Sequence, residues 1–137
     1  SLSRSSFDAC VNVRGGPWTI ERCKVLSNHA TALRGSKCGE ATLRRCSLGG
    51  LEPAECVDEQ VFGENLARYG VYAGDNCSFT LQACVLENTG RTGGVGARFF
   101  RMARGTLQGC MLRCNDIGVS VAGYSAVAVR GCTLERR

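Results

Sequence analysis

Five segments of this chain superpose without a gap, and that repeat limits its fold more than any other feature. Residues 18–25, 41–48, 79–86, 105–112 and 127–134 share the pattern x-Thr-aliphatic-x-x-Cys-x-aliphatic, with Ala128 in place of the threonine in the last. The shared cysteines Cys23, Cys46, Cys84, Cys110 and Cys132 are 23, 38, 26 and 22 residues apart. One unit is therefore 22 to 26 residues long, and the second interval carries an insertion. A second pattern, glycine followed by alternating small or branched apolar residues, recurs at Gly70-Val71-Tyr72-Ala73, Gly94-Val95-Gly96-Ala97 and Gly118-Val119-Ser120-Val121. Val11-Asn12-Val13 has the same alternation, and an asparagine lies between the two patterns at Asn28, Asn88 and Asn115.

Alternation with a period of two marks β-strands, and glycine or asparagine between runs marks corners where left-handed backbone costs little. A unit this short has no room for the crossover helix of a βαβ repeat. Three short strands separated by corners predict an all-β fold: a right-handed parallel β-helix, a solenoid of about five coils stacked about 4.8 Å apart. The chain reads as one such domain over residues 1–137, with one insert at 49–68. Both terminal coils would leave apolar edges bare, which predicts a segment of a longer chain or an end covered by another element.

The Thr-aliphatic-x-x-Cys-x-aliphatic strand, the Asn corner and the Gly-Val strand together resemble the parallel β-helix repeat of pectate-lyase-like proteins. That repeat is the carbohydrate-binding and sugar-hydrolase type also found in some F-box proteins and in periplasmic copper-maturation proteins. The resemblance covers residues 9–137 apart from the insert. It implies the coil but singles out no function, since the same coil serves enzymes and binding proteins alike. An enzyme of this kind would carry clustered acidic residues on one outer strand face. Outside the insert the acidic residues are Asp8, Glu21, Glu40, Asp75, Glu87, Asp116 and Glu135, and no two recur at one repeat position in adjacent coils. Glycoside hydrolysis needs paired carboxylates at a fixed separation, so no catalytic residue is assigned.

Positions three before and two after each repeated cysteine are always aliphatic: Ile20, Leu43, Leu81, Leu107 and Val129, then Val25, Leu48, Leu86, Leu112 and Leu134. A corner just before the cysteine turns all three positions inward, so the five cysteines are expected to form an internal ladder of small apolar groups. Stacked side by side, their Cβ atoms would stay about 4.8 Å apart, too far for the usual disulfide, so reduced thiols and a reducing, intracellular compartment are expected. Whether Cys10, Cys38, Cys56, Cys77 and Cys114 pair is left open. There is no C-x-x-C, and the single His29 lies far in sequence from the closest pair, Cys110 and Cys114, so no metal site is expected. No nucleotide-binding loop or other cofactor motif occurs, and no cofactor is assigned. Thr19, Thr42, Thr80 and Thr106 fall between inward positions and read as an outward column.

The charge is uneven. Residues 49–68 hold Glu52, Glu55, Asp58, Glu59 and Glu64 against Arg68, a local charge of 1 − 5 = −4, so the rest of this chain of net +5 carries +9. Fifteen of the 17 basic residues are Arg, which suits bidentate contacts with carboxylate or phosphate. Arg22, Arg44 and Arg45 are expected to cluster at the corner before the cysteine. Arg98, Arg101 and Arg104 should form a second group near Phe99 and Phe100. In the insert, Pro53 followed by acidic residues resembles a helix start, and Glu55, Asp58 and Glu59 are candidate contacts for a partner. No reading motif for nucleic acid and no membrane-spanning apolar run is present, so neither partner is expected. The expected function is a non-catalytic recognition or scaffold module that contacts protein partners in a larger assembly. The alternative is a carbohydrate-binding or carbohydrate-active domain that holds an acidic glycan through Arg22, Arg44 and Arg45.

Overall fold

The computed structural model describes residues 2–3, 6–7, 11–26, 31–37, 39–50, 69–89, 94–115 and 117–135. All regular structure in them is β, and every strand pairing is parallel. Strands β1 (Leu2–Ser3), β4 (Trp18–Glu21), β7 (Glu40–Arg44), β10 (Ser78–Gln82), β13 (Arg104–Gln108) and β16 (Ala126–Arg130) form a first sheet in that order. A second sheet holds β2 (Ser6–Phe7), β5 (Lys24–Leu26), β8 (Ser47–Gly49), β11 (Val85–Thr89), β14 (Met111–Asn115) and β17 (Thr133–Glu135). The third contains β3 (Val11–Val13), β6 (Thr31–Ser36), β9 (Tyr69–Gly74), β12 (Val95–Phe99) and β15 (Ile117–Val121). The chain visits the three sheets in rotation, which makes a parallel β-solenoid. Six, six and five strands per sheet are compatible with the expected coil count. The insert from residue 51 to 68, with its expected helix, lies outside the described residues, as do Cys10, Cys38 and Cys56.

The repeat sets the register. Ile20, Leu43, Leu81, Leu107 and Val129 are successive partners in the first sheet, and Val25, Leu48, Leu86, Leu112 and Leu134 in the second. Each is fully buried except in the last coil, where Val129 is 44% and Leu134 57% exposed. The same residue type is buried only where another coil covers it. Thr19, Thr42, Thr80 and Thr106 pair in sequence and point outward, as alternation requires.

One register differs from the expectation. In the third sheet Gly96, not Gly94, lies beside Gly70 and Gly118, a slip of two residues that keeps each side chain on its face. Contact decides it. A Cβ at Gly70 would meet the Gly96 carbonyl oxygen at 2.6 Å, and one at Gly96 would meet that of Gly118 at 2.8 Å. From Gly70 through Gly96 to Gly118 the column has no room for a side chain, while Ala32 stands beside Gly70 on its other side.

Candidate functional site

The expected corner before each cysteine is present. Arg22, Arg45 and Ala83 each have φ 53°, and Gly109 and Gly131 have 61° and 59°. Backbone N–H groups cross from coil to coil there: Arg22 to the Arg44 carbonyl and Arg45 to that of Gln82, both at 2.9 Å. Arg22, Arg44 and Arg45 are exposed. Arg44 extends along the stacking direction, donating through Nε to Gln82 Oε1 at 3.0 Å. Its other register neighbour is Glu21, which sets a carboxylate at the edge of this corner.

Past that corner lie the thiols. Cys23, Cys46, Cys84 and Cys110 are buried, Cys132 is half-buried, and all five are free. Cys46 Sγ donates to the Ile20 carbonyl, Cys84 to Leu43, Cys110 to Leu81 and Cys132 to Leu107, at 3.4–3.5 Å, each reaching into the preceding coil. The hydrogen bond from Cys84 holds Cys110 down at about 6 against an ordinary 9.0, although burial opposes it. The same neighbour lowers Cys46 to about 7. Cys84 is pushed up by its bonds to Cys110 and Cys46 and by burial, so it keeps its proton. Cys77 is buried, and Cys114 is disulfide-bonded. Among the described residues no group of three or more His, Cys, Asp or Glu side chains is placed to hold a metal, and no helix is long and apolar enough to cross a membrane.

The outer face of the third sheet gathers a different set of groups. Asn12, Arg34, Tyr72, Arg98 and Ser120 are successive register partners in one outward column. The Arg34 guanidinium lies 5.4 Å from the Tyr72 ring centre, and Tyr69 meets Tyr72 edge-on at 5.2 Å. Arg98 donates to Ser120 Oγ at 3.1 Å. Arg98 and Arg101 both lie 5.4 Å from the Phe100 ring centre. A guanidinium laid on a ring contributes about 0.5–1 kcal/mol at an exposed site and leaves its in-plane N–H fork free to face a carboxylate. Of the expected second group, Arg98 and Arg101 come together on Phe100, while Phe99 is wholly buried in the core and Arg104 stands exposed on the first sheet.

The corner after this sheet is built from pairs of left-handed residues. Asp75 and Asn76 (φ 50° and 68°), Arg101 and Met102 (58° and 63°), and Gly123 and Tyr124 (both 63°) stack in successive coils. Asn76 N–H donates to the Arg101 carbonyl at 3.1 Å and Met102 N–H to that of Gly123 at 2.8 Å. Asn, Asp and Gly accept this backbone readily. Met and Tyr do not, and each such residue costs about 1–3 kcal/mol. A surface depression of about 480 Å³ lies across these corners, lined by Lys37, Asp75, Asn76, Arg101, Met102 and Tyr124. Asp75 approaches Arg101 at 3.7 Å across its edge.

Sequence reasoning missed Arg34, Tyr72, Met102 and Tyr124. The only available signal was the register of the third sheet, which brings Arg34, Tyr72 and Arg98 into one column. Glu55, Asp58 and Glu59 lie outside the described residues. Comparison of the chain with protein-family models, with curated proteins and with solved structures gives no match in any of the three.

Proposed function

We propose that this chain is a non-catalytic recognition module that docks a protein partner through the outer face of its third sheet and the corner beyond it. The observation that carries the reading is the pair of guanidinium groups, Arg98 and Arg101, laid against one Phe100 ring. With Arg34 on Tyr72 they hold cations in fixed orientation on a flat surface. Arg, Tyr and Met are the side chains that protein interfaces concentrate, and Arg and Tyr are common among those whose loss weakens binding most. The likeness of the repeat to pectate-lyase-like proteins supports an outer sheet as the working face.

The second reading is an acidic glycan. It draws on Arg34 and Arg98, which stand two coils apart, about 9.6 Å at the backbone, and so repeat a cation along the solenoid axis. Nitrogen-15 NMR of the arginine side chains distinguishes the two when polyglutamate and an oligouronate are titrated separately. Under the protein reading polyglutamate shifts the Arg34, Arg98 and Arg101 signals. Shifts with oligouronate alone transfer the face to glycan binding, and shifts confined to Arg22, Arg44 and Arg45 overturn the assignment of this face.

A further inference from the structure

Tyr124 is 98% exposed and Met102 is 59% exposed, side by side on the same corner. Both sit in the left-handed backbone that corners of this coil share, as Arg22, Arg45 and Arg101 also do. The corner of the neighbouring coil uses Asp75 and Asn76, residues at ease in that conformation. Side chains this exposed gain little from burial in the folded chain. The coil's corner geometry accounts for their backbone, but core packing does not account for two large apolar side chains held this far out in water.

The charges around them have one predominant sign. Lys37 and Arg101 line the depression, Arg98 approaches from the adjacent strand through Phe100, and Arg34 extends the column. Asp75 is the one carboxylate among the lining residues, and it is partly neutralised by Arg101.

We infer that Met102 and Tyr124 form an apolar anchor site flanked by cations, shaped for a protein segment in which acidic side chains alternate with large apolar ones. This rests on the recognition reading above and adds the chemistry of the partner. The carboxylates meet the guanidinium forks of Arg34, Arg98 and Arg101, and an apolar side chain enters the depression between Met102 and Tyr124. Methionine adapts its shape to what it meets, and tyrosine covers a large area with few rotatable bonds to immobilise. A polyuronate supplies carboxylates but no apolar side chain to seat against Met102.

Fluorescence anisotropy with two labelled peptides of equal charge, one alternating Glu and Leu and one of Glu alone, tests the inference on the full chain. The alternating peptide is expected to bind about tenfold more tightly at the same salt concentration. Y124S and M102G should each remove most of that preference while leaving the affinity for polyglutamate nearly unchanged. M102G should also raise Tm by about 3 °C, because glycine relaxes the corner, so its loss of binding would not come from unfolding. Equal affinity for the two peptides, or a preference that survives both substitutions, overturns the anchor and leaves the recognition face standing. If neither peptide binds, the face and the anchor are overturned together.

Discussion

The Asn115 side-chain amide donates to the Leu86 carbonyl at 2.9 Å, inside the coil and out of reach of water. It ties the end of β14 to β11 in the neighbouring coil, at the turn where the chain passes from the second sheet to the third. Removing the amide takes a hydrogen bond from a buried carbonyl and leaves a gap at the turn. Asn115→Ala is expected to lower the unfolding free energy by about 1–3 kcal/mol, measured by urea denaturation. A loss below a few tenths would mean that Leu86 finds another donor.

The glycine column predicts a contrast between two alanine substitutions. At Gly96 a methyl group would meet the Gly118 carbonyl oxygen at 2.8 Å and Asn115 Nδ2 at 2.9 Å, so two coils must separate locally. Overpacking of this kind costs about 1–3 kcal/mol or more. At Gly109 nothing lies within 4 Å, and only the left-handed φ of 61° opposes a side chain. Gly109→Ala should cost about 1–2 kcal/mol at most, within the range of the αL penalty for an L-residue. Thermal unfolding of the two variants side by side checks the ranking.

Interior positions were legible in the sequence because the coil has a fixed cross-section. Leu43, Leu81 and Leu107 must present the same volume in each turn, so the same residue class recurs and can be counted. The corner before the cysteine was legible for the same reason. Outer positions carry no such constraint. Arg34, Tyr72 and Arg98 share a column but no residue type, and Asn76, Met102 and Tyr124 share a backbone conformation but no composition. The register of the third sheet departs by two residues from the Gly-Val alignment, since the runs leading into it differ in length from unit to unit. Once Gly96 rather than Gly94 is placed beside Gly70, Arg98 falls beside Tyr72 and the aromatic and basic column emerges.

Leu112 and Leu134 occupy one register position, and their burial differs only because a further coil covers the first. Leu112→Ala empties a packed interior and should cost about 2–5 kcal/mol. Leu134→Ala removes a side chain that is 57% exposed and should cost well under half as much if nothing covers that end. Denaturant midpoints for the two variants provide the check. Equal losses would show that the last coil is covered in solution by another element or another molecule.

Thiol accessibility follows the same gradient. Cys132 is half-buried at the open end, whereas Cys23, Cys46, Cys77, Cys84 and Cys110 are buried. Iodoacetamide applied to the native protein should modify Cys132 before the buried Cys23, Cys46, Cys77, Cys84 and Cys110, which react only on unfolding. Peptide mapping by mass spectrometry reads this directly. Rapid modification of Cys84 in the native state would contradict the closed stack.

The stacked thiols also predict how stability depends on pH. Cys110 falls to about 6 and Cys46 to about 7, both below their ordinary 9.0, chiefly because each lies where the Cys84 thiol can turn its one S–H toward it. A thiol whose pKa is lowered by folding stabilises the fold above its unfolded value, and that contribution disappears as pH falls through the folded value. For Cys110 the loss runs from about 9 down to about 6. Cys84 carries the opposite sign, since its pKa is raised: its contribution is complete below 9.0 and is lost as pH rises beyond it. The single S–H of Cys84 serves one neighbour at a time, so Cys110, the lower of the two, ionises first. The urea midpoint should therefore climb between pH 6 and pH 9 and turn down above it. Cys110→Ala should flatten the rise, and Cys84→Ala should flatten both limbs, because Cys84 is the donor in the first and the titrating group in the second. A midpoint that does not move between pH 6 and pH 9 in the unsubstituted chain would show that the thiols stay protonated, bonded only to the backbone carbonyls they already reach.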